Sequence, residues 1–405
     1  MSNPFRYGLL SVLSFFAVST LLLACGTYEQ VQVGYREPMA KNSSKTAQKV
    51  FSEVSTVSQP KVQVALLLDT SGSMQGLIDQ AKSQLWKIVN QFSHVYKEGK
   101  QPLLEVALYQ YGSSEISSWQ DFLKQVVPLG DDLDKLSEEL FALRIAGSEE
   151  YCGTVIRAAH NGLLWSKNPA DFKVMFIAGN ETFNQGSDAF REMCSQAMQA
   201  GIVVNTIFCG DEEQGQSLYW AEAAQYGGGS YLAIDHNIKQ VYIAAPQDKQ
   251  IEELGALINT TYIPYGAQGQ VGKKRQSTQD WNANGYSRSS NLQRCVTKGT
   301  SNYYNGSWDL VDACRSNKVK LKDLNNKQLP AAMQKMNDKE KAAYVKDMQE
   351  KRSRYQEKLA KLAKERAAFI AKQKKDNGDG SQTLDQAIGK IIAKQIAKKG
   401  FEIEK

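Results

Sequence analysis

Residues 66–74 read Leu-Leu-Leu-Asp-Thr-Ser-Gly-Ser-Met. An apolar run ends at an acid, Asp69, and two hydroxyl side chains, Ser71 and Ser73, follow at alternate positions. The run predicts a buried parallel strand, and open α/β sheets bind ligands where such strands end. Hard cations such as Mg²⁺ prefer oxygen ligands of this kind. The stretch therefore predicts three oxygens that converge on one ion, and an Asp-Ser turn capping the next helix is the alternative.

From residue 61 to about 245 the chain alternates strand and helix patterns, which predicts a mostly parallel sheet with helices on both faces. Near-continuous Val, Ile and Leu runs predict strands at residues 62–68, 104–111, 172–178, 202–208 and 230–234, with a weaker strand near 117–122. Apolar residues at three- and four-residue spacing predict helices at residues 77–96, 133–142, 154–166, 189–199 and 217–225.

The Asp-x-Ser-x-Ser motif within this alternation resembles the metal-ion-dependent adhesion site of von Willebrand factor A domains. The resemblance covers nearly half of the 405 residues. It implies the doubly wound, Rossmann-like A-domain fold and a divalent ion, Mg²⁺ or else Mn²⁺ or Ca²⁺. It also implies that the ion binds an acidic residue of a protein or peptide partner. A divalent ion at a sheet edge attracts a carboxylate, and dry surroundings strengthen that attraction.

The second loop of the family's metal site normally supplies a threonine. In this chain Ser148 is the nearest hydroxyl, and Thr154 is a later candidate. Glu149 and Glu150 are additional acids with two possible roles. They either lend carboxylates to the ion or complement the dipole of the helix that follows.

The third loop departs further from the family pattern, in which the strand ends Thr-Asp-Gly and the Asp reaches the metal shell. Here Gly179 stands at the Asp position. Asn180 or Glu181 could substitute at a different reach, or the second-loop acids could complete the shell. We expect a partly degenerate site formed by Asp69, Ser71, Ser73, Ser148, Glu149 and Glu181.

Residues 1–24 have the pattern of a secretory signal, with Arg6 before an apolar run too short for a membrane-spanning helix. The run ends Leu-Leu-Ala-Cys at Cys25, which resembles a bacterial lipobox. The resemblance implies cleavage before Cys25 and acylation of its thiol and amine, an effectively permanent anchor. Gly26, rather than Asp, resembles sorting to the outer membrane of a Gram-negative bacterium. An ordinary signal peptide with a chance cysteine is the alternative.

Six cysteines occur in the chain, and the oxidising cell envelope allows disulfides. Cys295 and Cys314 lie in a loop-rich stretch outside the predicted sheet, and we expect them to form a disulfide. Apart from Cys25, the remaining thiols are Cys152, Cys194 and Cys209. Because three is an odd number, at least one of them stays free.

Length allows two to three domains, and the 42% apolar content supports a real core. The net charge of +6 is uneven, because residues 318–375 carry 18 Lys and Arg against 7 Asp and Glu. After the signal we expect a polar tether at 25–60, the A domain at 61–245, an irregular accessory extension packed on it at 246–325, and a basic helical tail at 326–405.

The tail predicts a long helix followed by a second helix at residues 384–399. Apolar residues recur every seven positions at Met348, Tyr355, Leu362 and Phe369. This stripe indicates a coiled-coil or hairpin partner, and self-association is one way to provide it. Arg352 and Arg366 interrupt the second seam. The basic surface either contacts anionic lipid or cell-wall polymers or is a solvated helix face.

Enzymatic motifs are not visible. The three histidines, His94, His160 and His236, lie in no metal-ligand motif, and no phosphate loop or nucleophile elbow occurs. We expect no enzyme and, in an envelope protein, no nucleic-acid partner. Two hypotheses remain: a metal-dependent module that binds a protein partner, and a metal-silent scaffold that assembles through its helical tail.

Overall fold

The computed structural model describes residues 59–237, 242–375 and 383–403. Its strands are β1 Lys61–Asp69, β2 Val95–Tyr96, β3 Leu103–Tyr111, β4 Lys124–Gly130, β5 Phe172–Gly179, β6 Ile202–Cys209, β7 Gly228–Ile234 and β8 Glu402–Ile403. Six of them form one sheet in the order β4-β3-β1-β5-β6-β7. All neighbours in this sheet are parallel except β4, which pairs with β3 in the antiparallel sense. The strands β2 and β8 form a separate antiparallel pair.

The helices are α1 Gln75–Gln91, α2 Leu133–Ala142, α3 Cys152–Gly162, α4 Phe190–Gln199, α5 Glu212–Ser217, α6 Trp220–Tyr226, α7 Asp248–Asn259, α8 Gly269–Tyr286, α9 Arg288–Lys298, α10 Leu310–Arg315, α11 Ala331–Gln334, α12 Asp338–Lys375 and α13 Leu384–Ile396. They cover both faces of the sheet. Leu66 and Leu68 of β1 pack in a core with α1, α2 and α13, whereas Ala65 and Leu67 pack in a second core with α3, α4 and α6. This alternation along one fully buried strand is the doubly wound fold, and it confirms the predicted fold class.

The weaker strand predicted near residues 117–122 is wrong. Ser118–Gln120 form a short 3₁₀ turn instead, and the Ser117 hydroxyl accepts a hydrogen bond from the Trp119 N–H. Asp121 and Phe122 then adopt left-handed backbone angles, with φ of 53° and 55°. Such angles end regular structure, so the edge strand β4 begins only after them.

The predicted irregular extension at 246–325 is largely helical, because it contains α7 to α10. Sequence periodicity could not reveal α8, since the side chains that it buries include amides. Gln276 and Gln279 are fully buried. The Gln276 amide donates to Asp280, and Gln279 accepts a hydrogen bond of 2.8 Å from the Ser137 hydroxyl of α2.

The expected disulfide between Cys295 and Cys314 is also wrong, since both are free thiols. Cys295 lies in the main core beside Gly255, where a Cβ would come within 2.5 Å of its sulfur. Cys314 packs against a different apolar cluster, which includes Ile263 and Met333. The two sulfurs therefore belong to separate packing clusters.

The stripe on α12 packs within the chain itself. Met348 and Leu359 are buried, and α12 lies along α7. Arg352, which seemed to interrupt the seam, is a buried anchor with 3% of its surface exposed. Its guanidinium donates to Asp309 at 2.7 Å and to Asp312 at 2.9 Å, and it lies 4.4 Å from the centre of the Tyr262 ring. Arg366 is held in the same way by Asp248, at 2.6 Å.

The last helix, α13, completes one face of the sheet. Ile388 and Ile391 are buried in the core that contains β1 and α1. At its start, the Leu384 N–H donates to Gln80 of α1 at 3.0 Å, and the next N–H donates to Gln84 at 2.8 Å. Strand β8 then pairs with β2. The sheet therefore takes part of its cover from the C-terminal region of the chain.

The predicted signal peptide, the lipidated Cys25 and nearly all of the tether lie outside the described residues. Within residues 59–237, 242–375 and 383–403, no helix combines the length and the apolar character needed to cross a bilayer.

Replacing Arg352 by alanine should destabilise the protein by about 3–5 kcal/mol, because Asp309 and Asp312 would remain buried without their cation. The measurement is urea unfolding of the purified protein. Arg354→Ala, an exposed change on the same helix, is the matched control and should cost no more than about 0.5 kcal/mol. Equal midpoints for the two variants would contradict the anchoring role of Arg352.

Candidate metal centre

The first two loops of the predicted site are joined by backbone hydrogen bonds at the carboxyl edge of the sheet. The Thr70 N–H donates to the Tyr111 carbonyl at 2.9 Å, which ties the loop after β1 to the end of β3. The Gly72 N–H donates to the Gly147 carbonyl, and the Ala146 N–H donates to the Thr70 carbonyl, both at 2.9 Å. The second loop is therefore held against the first by its main chain.

The three oxygens of the first motif lie together, as the sequence predicts. Asp69 is fully buried, and its Oδ1 accepts the Ser71 N–H at 2.7 Å. The hydroxyl oxygens of Ser71 and Ser73 are 3.3 Å apart. The Ser73 hydroxyl also donates to Asn180 Oδ1 at 3.2 Å, which brings the third loop to the same point.

The acid that the second loop turns into this site is Glu150. Residue 149 forms a β-bridge with Gly112, and in such extended backbone successive side chains point to opposite sides. Glu150 is only 2% exposed. Its Cγ would lie 3.1 Å, and Asp69 Oδ1 2.8 Å, from a Cβ at Gly112, so the two acids border the same glycine.

Two of the other predicted second-loop residues lie at the surface, whereas the later candidate Thr154 is buried within α3. Ser148 is exposed, and so is Glu149, whose carboxylate accepts a hydrogen bond of 3.2 Å from the Tyr151 hydroxyl. The second-loop acid that could bind the ion is therefore Glu150 and not the predicted Glu149. Glu181 of the third loop is exposed at the rim of the site. Its negative charge raises the pKa of both Asp69 and Glu150, to a lesser degree than burial does.

The place of the missing third-loop Asp is filled by a tyrosine. A Cβ at Gly179 would lie 2.6 Å from the Tyr111 hydroxyl and 2.9 Å from Asp69 Oδ2. Tyr111 is buried, and its hydroxyl donates to the Ala178 carbonyl at 3.0 Å. The departure at Gly179 is therefore matched by Tyr111 at the end of β3, and a side chain at position 179 would overpack the Tyr111 hydroxyl.

Burial raises the pKa of Asp69 to about 7, although hydrogen bonds from Ser71 oppose this. Burial and the adjacent Asp69 raise the pKa of Glu150 to about 8. Within the described part of the chain, neither Asp69 Oδ2 nor Glu150 Oε2 has a hydrogen-bond partner. A buried carboxylate oxygen without a donor is costly unless a cation or a proton satisfies it.

The donor set suits a hard divalent ion. Two carboxylates, from Asp69 and Glu150, and two hydroxyls, from Ser71 and Ser73, are ligands of the kind that Mg²⁺, Mn²⁺ and Ca²⁺ bind. The described ranges contain no group of three or more His, Cys, Asp and Glu side chains placed to hold a metal. Any ion here must therefore rely on the serine hydroxyls as well as the acids.

Comparison with known proteins identifies one domain type in the chain. Residues 63–221 match the sequence profile of the von Willebrand factor type A domain. The chain contains a von Willebrand factor type A domain. No curated protein matches the chain.

Solved structures similar to part of the chain include the conserved hypothetical protein BatB from Bacteroides thetaiotaomicron, with 15% identity over 43% of this chain and 90% of that one, at a TM-score of 0.34. Proximal thread matrix protein 1 from the mussel byssus, with a zinc-occupied MIDAS motif, has 14% sequence identity over 43% of this chain and 42% of that chain, at a TM-score of 0.33. The pilus adhesin SpaC from Lactobacillus rhamnosus GG has 14% sequence identity over 44% of this chain and 28% of that chain, at a TM-score of 0.32.

Sequence reasoning named Glu150 as a possible ligand without choosing it over Glu149, and it missed Tyr111. Glu150 was considered only beside Glu149, and the signal that separates them is the pairing of residue 149 with Gly112, which a single sequence does not display. Tyr111 ends a predicted strand, and the sequence pattern gives it no role in the site. Its hydroxyl is the feature that explains Gly179, and only the packing of β3 beside β1 reveals it.

Gly179→Ala should destabilise the fold by about 1–3 kcal/mol, because the new methyl group overpacks the Tyr111 hydroxyl. Adding Tyr111→Phe removes that hydroxyl and should recover part of the loss. Urea unfolding of the wild type, both single variants and the double variant measures the coupling between the two positions. Additive losses would show that Tyr111 does not fill the place of the missing acid.

Proposed function

We propose that this protein is an interaction module of the cell envelope whose A domain binds a protein or peptide partner at a divalent-cation site. Asp69, Ser71, Ser73 and Glu150 would hold the ion, which is Mg²⁺, Mn²⁺ or Ca²⁺. The observation that carries the proposal is the pair of buried carboxylate oxygens, Asp69 Oδ2 and Glu150 Oε2, that lack hydrogen-bond donors beside the Ser71 hydroxyl.

The ion would supply an electrophilic point at the protein surface. Four protein oxygens do not fill the shell of a six-coordinate cation, so water or an acidic side chain of the partner can complete it. The proposal gives the chain no catalytic role. Burial raises the pKa of the Cys152 thiol, 3.9 Å from the Tyr111 hydroxyl, well above its ordinary value, so this sulfur stays protonated rather than nucleophilic.

A metal-silent scaffold is the second candidate. The Tyr111 hydroxyl beside Gly179 favours it, because an acid of the family's site is missing there. The partial burial of the α12 stripe weakens it, because Met348 is buried and Tyr355 and Leu362 pack in part against the core of the same chain, which leaves less apolar surface for assembly between copies. Cation binding by the isolated protein distinguishes the two candidates.

Calorimetric titration of Mg²⁺, Mn²⁺ and Ca²⁺ into the protein should detect one site. Asp69→Ala and Glu150→Gln should each weaken binding at least about tenfold, since each removes a carboxylate that offsets dehydration of the ion. Glu149→Gln is the matched control, because that side chain turns outward to Tyr151 and its loss should leave the affinity unchanged. Absence of heat with all three ions, or equal affinities in all variants, would favour the scaffold.

We further propose that Cys25 carries a lipid anchor in the outer membrane of a Gram-negative bacterium. Its support is the Leu-Leu-Ala-Cys sequence that ends the apolar run. Cys25→Ser should move the protein from the membrane fraction to the soluble fraction and abolish labelling by palmitate, because the acylated thiol is lost. A Cys194→Ser variant, changed at a buried thiol of the A domain, should remain in the membranes. Membrane retention of the Cys25 variant would contradict the anchor.

A further inference from the structure

The face that carries the candidate metal centre has a surplus of negative charge. Four exposed glutamates lie at the carboxyl edge of the sheet, Glu149 and Glu181 on loops beside the centre and Glu212 and Glu213 at the start of α5, and we call them the glutamate rim. Among the described residues, none of the four takes part in an ion pair. The Glu149 carboxylate accepts a hydrogen bond from the Tyr151 hydroxyl.

Basic residues at the same edge do not neutralise the negative charge of the glutamate rim. Arg157 is engaged by Asp188 at 3.0 Å and by Asp121 at 3.7 Å, so its charge is already balanced. Lys124 and Arg144 line a separate recess together with Glu115. The rim and Glu115 together supply more exposed charges than these two basic side chains, so the edge keeps a negative surplus, and such a surplus attracts and orients oppositely charged partners.

Trp119 stands on the same edge and is 95% exposed. Its loop is connected to the rim, because the rings of Phe122 and Tyr151 pack edge to face at 5.8 Å and the Tyr151 hydroxyl binds Glu149. A tryptophan left in water is the side chain that most often becomes an energetic centre of an interface. Its ring face also attracts lysine and arginine side chains.

The ion itself cannot reverse this charge. When ionised, Asp69 and Glu150 together match the two positive charges of a divalent cation, and the nearby Glu181 adds a further negative charge. A segment that carries many acidic residues would therefore be repelled by the rim, even though a single carboxylate can still reach the ion.

We infer that the metal-bearing face binds a lysine- and arginine-rich polypeptide segment, in which at most one acidic side chain approaches the ion. This inference rests on the proposed function for the place of docking, and it adds the chemistry of the partner. The glutamate rim supplies the long-range attraction, and Trp119 supplies the apolar and cation–π contact.

The test uses the full protein with Mg²⁺ present and three fluorescein-labelled peptides of equal length. One alternates lysine and glycine around a central Asp, one replaces that Asp by Asn, and one replaces every lysine by glutamate. By fluorescence anisotropy the lysine peptides should bind at least about tenfold tighter than the glutamate peptide, and added salt should reduce the difference. A smaller loss of affinity when the central Asp is replaced by Asn would indicate that the Asp carboxylate contacts the ion.

Variants locate the binding. Glu212→Gln combined with Glu213→Gln should weaken the lysine peptides by about two- to fivefold for each charge removed, and Trp119→Ala should weaken them at least about tenfold. Glu357→Gln removes an exposed charge on α12, outside the rim, and should have no effect. Equal effects of the rim and α12 variants would overturn the inference.

The outcomes separate the two proposals. If calorimetry finds a cation but the lysine and glutamate peptides bind equally, or none of them binds, the inference about the partner fails and the cation site stands. If no cation binds but the lysine peptides still prefer the rim, the cation site fails and the surface stands.

Discussion

The burial of the Asp69 carboxylate is the constraint on which the rest of this face depends. Strand β1 is covered on both sides, so the carboxylate of its last residue, Asp69, is buried away from water. One carboxylate oxygen is satisfied by the Ser71 N–H, and the other is not. The bonds that join the loops at Thr70 and Gly72 keep this geometry fixed. Placing Glu150 beside Asp69 increases the demand for a cation rather than reducing it.

Much of the sheet could be predicted, because strands buried on both faces read as continuous apolar runs and the helices between them keep one apolar stripe. The same rule explains why the sequence predicted β4 and α8 poorly. The edge strand β4 is half exposed and follows two residues with left-handed angles, so its pattern is weak. Helix α8 buries amides such as Gln276, and no apolar periodicity could reveal it. The first metal loop was visible because its three oxygen-bearing side chains lie within five consecutive residues.

The remaining parts of the site could not be predicted, because they depend on pairing across the fold. Tyr111 meets Gly179 only because β1 lies between β3 and β5, and Glu150 faces inward only because residue 149 pairs with Gly112. The charged seam of α12 is a similar case. Arg352 seemed to weaken a coiled coil, but two buried acids from another segment make it the anchor of the helix. Burial of such a pair carries a desolvation cost, so its net contribution to stability is small, whereas removal of one partner alone is strongly destabilising.

The position of α13 governs when the molecule can finish folding. During synthesis, the core between β1 and α1 stays open until residues 384–396 have been made, since Ile388 and Ile391 close it. Strand β8 then joins β2 across about three hundred residues, a contact that a growing chain can make only after residue 403 has been made. A prematurely terminated chain would therefore expose apolar surface along its central sheet. Exposed apolar surface favours aggregation and proteolysis, so the core is protected only after α13 has been made.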